Sequence, residues 1–240
     1  MVPLNQEGSM NTKLIVANWK SHKDVAEAKN WLEAYAKSSS AHSTALQVIL
    51  APPSSLLWPI SEAISALKLP LGLGVQDLSP FGPGSYTGAI ATENLQGLPV
   101  KYAIVGHSER RRYFHETHQQ VANKVEQAVK AGITPIVCLD DEYLITQAAA
   151  IPQELLTKCV VAYEPIEAIG NDRNQPAEEV APVVAKVRQY FGNIRVIYGG
   201  SAAAENVQSY LAVTDGVLVG HKSLAATDFS ALVTAAATTA

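Results

Sequence analysis

The stretch Lys13–Lys20, which reads KLIVANWK, sets the pattern that decides the fold. Its apolar run, Leu14–Ala17, has the length of a buried strand and is followed at once by polar residues. Further short apolar runs recur along the chain, and stretches of helical character separate them. Repeated strand–helix units of this kind are typical of a parallel sheet covered by helices.

Eight such runs are found, and together they define the predicted sheet. They are Leu14–Ala17, Gln47–Ala51, Leu71–Val75, Tyr102–Gly106, Pro135–Leu139, Val160–Tyr163, Arg195–Tyr198 and Gly216–Val219. An open doubly wound sheet of this size would more often show a Gly-rich dinucleotide turn after its first strand, and this chain has Asn18-Trp19-Lys20 there. The sequence therefore predicts a closed, parallel (β/α)₈ barrel.

Amphipathic segments lie between most of the predicted strands and are expected to be the outer helices. They are Val25–Ala36, Trp58–Leu67, Val121–Ala131, Ala177–Phe191 and Ala204–Leu211. The fifth connection is expected to be shortened, because Pro152 divides it into Glu142–Ala150 and Glu154–Thr157. The last dozen residues fit either a final helix or a frayed tail.

We expect residues 1–9 to be a leader of the kind that cloning adds, and residues 10–240 to form a single domain.

Composition excludes several classes of function. Hydrophobic residues make up 48% of the chain and charged residues 17%, which suits a sizeable core. The formal net charge of −4 gives no basic field for nucleic acid. No apolar run approaches the roughly 18 residues of a membrane span, and no signal-peptide pattern is present. Cys138 and Cys159 lie in apolar runs, so we expect buried, reduced thiols and a cytoplasmic protein.

Residues with reactive side chains follow several of the predicted strands. Lys20 comes after the first strand, His107 after the fourth and Glu164 after the sixth. Glycines follow the seventh and eighth strands, in Gly199-Gly200-Ser201 and Gly220-His221. Because the carboxyl ends of barrel strands converge in space, these groups are expected to share one site.

The three side chains suit proton transfer next to a carbonyl group. Glu164, desolvated at the barrel mouth, is the candidate base. His107 begins a turn or helix whose positive end favours a neutral imidazole, which donates a hydrogen bond to a carbonyl. Lys20 supplies a positive charge for an enediolate or a phosphate.

The glycines are expected to leave backbone N–H groups open to a phosphate, as the loops after the seventh and eighth strands of such barrels commonly do. After Glu164 the short loop Pro165–Asp172 contains glycine between apolar residues, and we interpret it as a lid. A lid suits this chemistry because an enediol phosphate exposed to water loses its phosphate.

The ordered set of motifs resembles the triosephosphate isomerase family. The matching segments are Ala17–Lys20, Gly106–Arg111, Ala162–Pro165 with Ala168–Gly170, Tyr198–Ser201 and Asp215–Gly220. This resemblance implies a TIM barrel that interconverts dihydroxyacetone phosphate and D-glyceraldehyde 3-phosphate in glycolysis and gluconeogenesis, with no cofactor and no metal.

The resemblance also implies a role for each matched residue. Glu164 would be the base, His107 the electrophile and Lys20 the cation, and Glu109 would support them. Asn18 and Lys20 would bind substrate, and backbone around Gly170, Ser201, Gly220 and His221 would bind its phosphate. Residues 76–88 resemble the loop through which family members form a homodimer.

Four residues depart from the family's usual pattern. Glu167 stands in place of a lid tryptophan, Asp172 in place of a lid glycine and Ala89 in place of an interface glutamate. His221 replaces the second glycine after the eighth strand, where its side chain is expected to crowd the phosphate. A divergent family member is the interpretation that these changes favour.

Other readings remain open from the sequence. A Schiff-base aldolase would need a desolvated lysine at the sixth strand, where Glu164 stands. A metal-dependent epimerase would need several ligands, of which only His107 and His221 are obvious. If His221 and Asp172 disabled the site, the barrel would bind a phosphorylated ligand without turning it over. A purely structural barrel is a further alternative, but it would not need the reactive residues at the strand ends.

Overall fold

The computed structural model describes residues 12–38, 43–165 and 175–238. Within them, eight parallel strands close into one barrel in sequence order, which confirms the predicted fold. The strands are β1 (Lys13–Asn18), β2 (Leu46–Ala51), β3 (Leu71–Val75), β4 (Val100–Val105), β5 (Thr134–Leu139), β6 (Val160–Tyr163), β7 (Val196–Tyr198) and β8 (Gly216–Val219). The expected leader, residues 1–9, lies outside the described residues.

Helices surround the barrel and connect its strands. They are α1 (Val25–Ser38), α2 (Leu57–Ala66), α3 (Ser108–Phe114), α4 (His118–Lys130), α5 (Leu144–Ala150), α6 (Gln153–Leu156), α7 (Ala177–Phe191), α8 (Val207–Val213) and α9 (Ala226–Ala237). A short 3₁₀ turn, His221–Ser223, lies between β8 and α9. Of the helices described, none is long and apolar enough to cross a membrane.

Two helix starts differ from the sequence-based prediction because side chains define them. Helix α4 begins at His118, earlier than predicted, since Thr117 and Gln120 cap each other's backbone N–H groups at 3.2 and 2.9 Å. Helix α8 begins at Val207, later than predicted, because Asn206 accepts a hydrogen bond from the N–H of Ala203 and holds the preceding residues in a turn.

The two uncertain regions of the sequence both form helices. The fifth connection contains the short helices α5 and α6, which confirms that it is truncated around Pro152. The C-terminal segment forms α9, whose Phe229 and Leu232 are completely buried. The final helix, and not the frayed tail, is therefore the correct alternative for this segment. Its apolar face is buried against the rest of the protein, which stabilises the helix.

The strands alternate between two cores. One face of each strand packs under the helices, and the other fills the barrel interior. The interior residues are Leu14, Val16, Ile49, Ala51, Tyr102, Ile104, Ile136, Cys138, Val160, Ala162, Ile197 and Leu218. A filled barrel has no pore, so the chemistry is confined to the rim where the strands end.

Barrel closure depends on the contact between β1 and β8. Leu14 pairs with Gly216, and the Leu14 N–H donates to the carbonyl of Asp215 at 2.9 Å. The two backbones approach so closely that a Cβ on Gly216 would lie 1.9 Å from the Leu14 carbonyl oxygen. Closure therefore requires a residue without a side chain at position 216.

We expect Gly216→Ala to lower the free energy of unfolding by about 3 kcal/mol or to prevent folding, because overpacking against backbone cannot be relieved by rotamer changes. The measurement is urea unfolding followed by circular dichroism. Gly132→Ala is the matched control, since a Cβ there meets nothing within 4 Å and only its φ of +71° is unfavourable. It should cost about 1–2 kcal/mol. Equal losses in the two variants would contradict the proposed role of Gly216.

Candidate active site

Glu164 is a buried carboxylate at the carboxyl end of β6. Only 2% of the residue is exposed, and its backbone N–H donates to the carbonyl of Leu139 on β5 at 2.8 Å. Its Oε2 accepts a hydrogen bond from the N–H of Ser108 at 3.1 Å. Its Oε1 accepts none from the described part of the chain. One carboxylate oxygen is thus held in place while the other is left available to take a proton.

His107 lies between β4 and α3 and faces Glu164. Its Nδ1 accepts a hydrogen bond from the N–H of Glu109 at 3.2 Å, in the first turn of α3. A ring nitrogen that accepts carries no proton, so this contact favours the neutral ring with its proton on Nε2. The Nε2 atom lies 3.2 Å from Oε1 of Glu164, although the pair lacks the alignment of a hydrogen bond. The ring can therefore donate from Nε2 to a substrate oxygen.

Lys20 is held at the end of β1 in a left-handed backbone conformation, with φ +52°. Its N–H donates to Oδ1 of Asn18 at 3.0 Å, and its carbonyl accepts from Nε2 of Gln76 at 2.9 Å. Its Nζ forms an ion pair with Oε1 of Glu109 at 2.7 Å. A non-glycine residue in this conformation is strained, and the two backbone contacts fix it. The ion pair directs the ammonium group toward Glu109.

The glycines after β7 and β8 allow backbone to pass close to these side chains. A Cβ on Gly199 would lie 2.8 Å from Cγ of Glu164, and one on Gly220 would lie 3.2 Å from Cε of Lys20. Larger residues at these two positions would displace the carboxylate or the ammonium group. The glycines thus leave room for the Glu164 carboxylate and the Lys20 side chain.

One cavity of about 490 Å³ joins these groups. Of the predicted site residues, Asn18, Lys20, His107, Glu109, Glu164, Ser201, Gly220 and His221 line it. Gly170 and most of the predicted lid, Pro165–Asp172, lie outside the described residues. In the ranges that are described, no three His, Cys, Asp or Glu side chains are grouped as metal ligands.

Comparison with known proteins gives one consistent family. Residues 13–236 match the family model described as triosephosphate isomerase. The chain belongs to the triosephosphate isomerase family. It is 33% identical to the triosephosphate isomerase of Symbiobacterium thermophilum, over 95% of this chain and 98% of that protein. It is 36% identical to that of a Synechococcus species, over 93% and 97%, and 34% identical to that of Mesomycoplasma hyorhinis, over 94% and 99%.

His221 fits its position in this member of the triosephosphate isomerase family without strain. It opens the 3₁₀ turn His221–Ser223, and its φ is not positive, so the glycine it replaces is not needed for backbone conformation. Its side chain is exposed at the cavity wall. The expected crowding of the phosphate by the His221 side chain stays a prediction. The other two departures near the site, Glu167 and Asp172, lie outside the described residues.

Several residues of the site were not predicted from the sequence. The N–H of Ser108 holds Glu164, while His22 and Lys222 add titratable and positive groups to the cavity wall. Ser108 is adjacent to His107 and was a detectable candidate, because a residue that begins a helix has a free N–H. His22 and Lys222 are exposed residues with no pattern around them, so only their position in space identifies them.

Cys138 lies behind Glu164 in the barrel interior. It is fully buried, and burial raises the pKa of its thiol well above the ordinary value, with a further contribution from the neighbouring Glu164 carboxylate. Burial likewise raises the pKa of Cys159 to about 12. Both thiols are free, and both stay protonated at neutral pH. Cys138 thus borders the carboxylate as an uncharged group.

We expect neither thiol to react with Ellman's reagent in the native protein at about pH 8, because reaction needs an accessible thiolate. Both should react promptly in guanidinium chloride. The measurement is the absorbance of the thiolate that the reagent releases. The Cys159→Ala variant shows which of the two cysteines has reacted. Rapid reaction of one thiol without unfolding would show that its surroundings are open to solvent.

Proposed function

We propose that this chain interconverts dihydroxyacetone phosphate and D-glyceraldehyde 3-phosphate, with Glu164 as the base. The observation that carries the proposal is the buried Glu164 carboxylate, which has one oxygen that lies 3.2 Å from Nε2 of His107 and accepts no hydrogen bond from the residues that the structure describes. Lys20 and the glycine turns open into the same cavity. Membership of the triosephosphate isomerase family supports the same reaction.

The reaction moves one proton between neighbouring carbon atoms. Glu164 takes the proton from the carbon next to the carbonyl group, which leaves an enediolate, and then returns it to the former carbonyl carbon. The proton of the neighbouring hydroxyl group passes to the former carbonyl oxygen, so the carbonyl group moves to the adjacent carbon. His107 donates from Nε2 to the oxygen on which negative charge develops. Lys20 adds a positive charge whose position Glu109 fixes through the 2.7 Å ion pair. Each group thus acts on a charge that the reaction creates.

Substrate binding is proposed for the backbone after β7 and β8. Ser201, Gly220 and His221 line the cavity at its glycine-rich side, and Lys20 adjoins Gly220. Backbone N–H groups beside a cation suit a dianionic phosphate. We assign Asn18 to substrate binding through its contact with Lys20, and Gly170 through the family pattern alone.

We further propose a homodimer that forms through residues 76–88. The stacked rings of Phe81 and Tyr86, with centroids 4.4 Å apart, are 43% and 46% exposed. On α3, Tyr113 and Phe114 are exposed by 64% and 68%. Large exposed rings near one another are characteristic of protein interfaces. The loop borders a cavity of about 580 Å³ that reaches Lys20 and His107, so a second subunit there would support the active site.

The start of this loop is fixed to the barrel by a partly buried charge cluster. Asp77 forms ion pairs with Lys124 on α4 at 2.5 Å and with Arg110 on α3 at 2.9 Å, and Lys124 also pairs with Glu116. Such a cluster would preserve the loop's position before a partner arrives.

We also propose a cytoplasmic location, because both cysteines are free.

We expect Glu164→Gln to lower kcat by about 10²–10⁴-fold, because an amide cannot accept the proton. The measurement is a coupled assay of glyceraldehyde 3-phosphate isomerisation without added metal or nucleotide. The matched control is Glu154→Gln on the exposed surface of α6, which should keep wild-type kcat. A Glu164→Gln enzyme that retains wild-type kcat would show that another group is the base.

We expect Thr87→Glu at the exposed tip of the loop to raise the dimer dissociation constant at least about tenfold, because it buries an unpaired charge in the interface. Sedimentation velocity measures the dimer fraction, and the specific activity should fall on dilution in parallel. Thr157→Glu, exposed after α6, is the control and should sediment like the wild type. Dimers of equal stability in both variants would place the interface elsewhere.

A further inference from the structure

The turn after β8 is organised by its own hydrogen bonds. Both the N–H and the hydroxyl of Ser223 donate to the carbonyl of Gly220, at 2.9 and 2.7 Å, and the Leu224 N–H donates to the carbonyl of His221 at 3.0 Å. These contacts define the shape of residues 220–224. The Ser223 hydroxyl also lies 3.4 Å from the carbonyl oxygen of Asn18 at the end of β1, which gives the turn one long hydrogen bond to the rest of the barrel rim.

Two shorter hydrogen bonds, from donors in the segment after β1, strengthen that attachment. The indole N–H of Trp31 donates to the carbonyl of Ser223 at 3.1 Å, and Nζ of Lys23 donates to the carbonyl of Leu224 at 2.7 Å. Lys23 also lies over the ring of Trp19, 5.0 Å from its centroid. The last two carbonyls of the turn are therefore held by the chain that carries Lys20.

Trp31 is itself immobilised by aromatic neighbours. Its ring stacks on Tyr35 with centroids 5.1 Å apart and an interplanar angle of 5°. It meets Trp19 edge to face at 5.0 Å and Phe229 at 5.8 Å. Trp31 is 4% exposed, and Trp19 directly precedes Lys20. One side chain thus contacts both the base of the Lys20 loop and the end of the β8 turn.

We propose that Trp31 is a positioning residue, whose indole N–H fixes the phosphate-binding turn 220–223 against the loop that carries Lys20. The inference rests on the proposed function only in assigning this turn to the phosphate. Trp31 touches no substrate; it acts by keeping the N–H groups of the turn and the ammonium group at a fixed separation. A phenylalanine would keep an aromatic ring among these neighbours but would leave the Ser223 carbonyl without its indole donor.

Loss of this hydrogen bond should therefore weaken phosphate binding more than chemistry. We expect Trp31→Phe, which keeps an aromatic ring on Tyr35, to raise the dissociation constant of inorganic phosphate about five- to tenfold. KM for glyceraldehyde 3-phosphate should rise by a similar factor. The value of kcat should stay within about twofold, since Glu164 and His107 are untouched.

A matched variant separates positioning from a purely structural role. Phe229→Leu disturbs the same aromatic cluster but removes no donor, so it should lower the melting temperature while leaving phosphate binding and KM within about twofold of wild type. Isothermal titration calorimetry with inorganic phosphate gives the dissociation constants, and thermal unfolding gives the stabilities. Trp31→Phe values within twofold of wild type, or equal weakening by Phe229→Leu, would overturn the proposal.

A measurement on the unmutated side chain adds an independent test. The three tryptophans give three indole N–H signals in ¹⁵N-labelled protein, and Trp58→Phe assigns the exposed one. Phosphate should shift the Trp31 signal and leave Trp58 unchanged; an unshifted Trp31 signal at saturation would contradict the proposal. Phosphate binding without isomerisation would refute the proposed function alone, whereas absence of phosphate binding would overturn this inference.

Discussion

The hydrogen bonds between β1 and β8 close the barrel, and the arrangement of the site depends on that closure. They bring the loops after the first, seventh and eighth strands to one side of the rim, although these loops lie far apart in sequence. Gly216 permits the approach because any side chain would meet the Leu14 backbone. The adjoining segments are then linked directly, through Lys20 beside Gly220 and Trp31 beside Ser223. A phosphate group would thus be bound at the seam of the barrel.

The reactive side chains of the cavity are organised by polar contacts to a short helix. Helix α3 places the N–H of Ser108 on Glu164 and the N–H of Glu109 on His107, so its first turn holds both groups. The same helix supplies the Glu109 carboxylate that pairs with Lys20. Backbone donors are well suited to this task because they cannot rotate away as side chains can. Base, imidazole and ammonium are consequently fixed by one element.

Most of the barrel was predictable because each strand is a local signal. Short apolar runs gave all eight strands with small differences at their ends, and a Pro-divided segment gave the short helices α5 and α6. The predicted starts of α4 and α8 were wrong because hydrogen bonds of single side chains, and not apolar periodicity, determine where these helices begin. These are the Thr117–Gln120 cap and the Asn206 turn. The catalytic candidates were predictable for a similar reason: polar groups that follow parallel strands must meet at one edge.

The sequence by itself determined the class of fold, the family and the chemical types of group at the strand ends. These depend on local periodicity and on residue order, which are properties of the chain. Only the tertiary structure decided which tautomer His107 favours and that Trp31 reaches Ser223. It also decided that one Glu164 oxygen accepts no hydrogen bond within the described part of the chain. These features depend on distances between residues as many as 192 positions apart, and only packing of the closed barrel sets such distances.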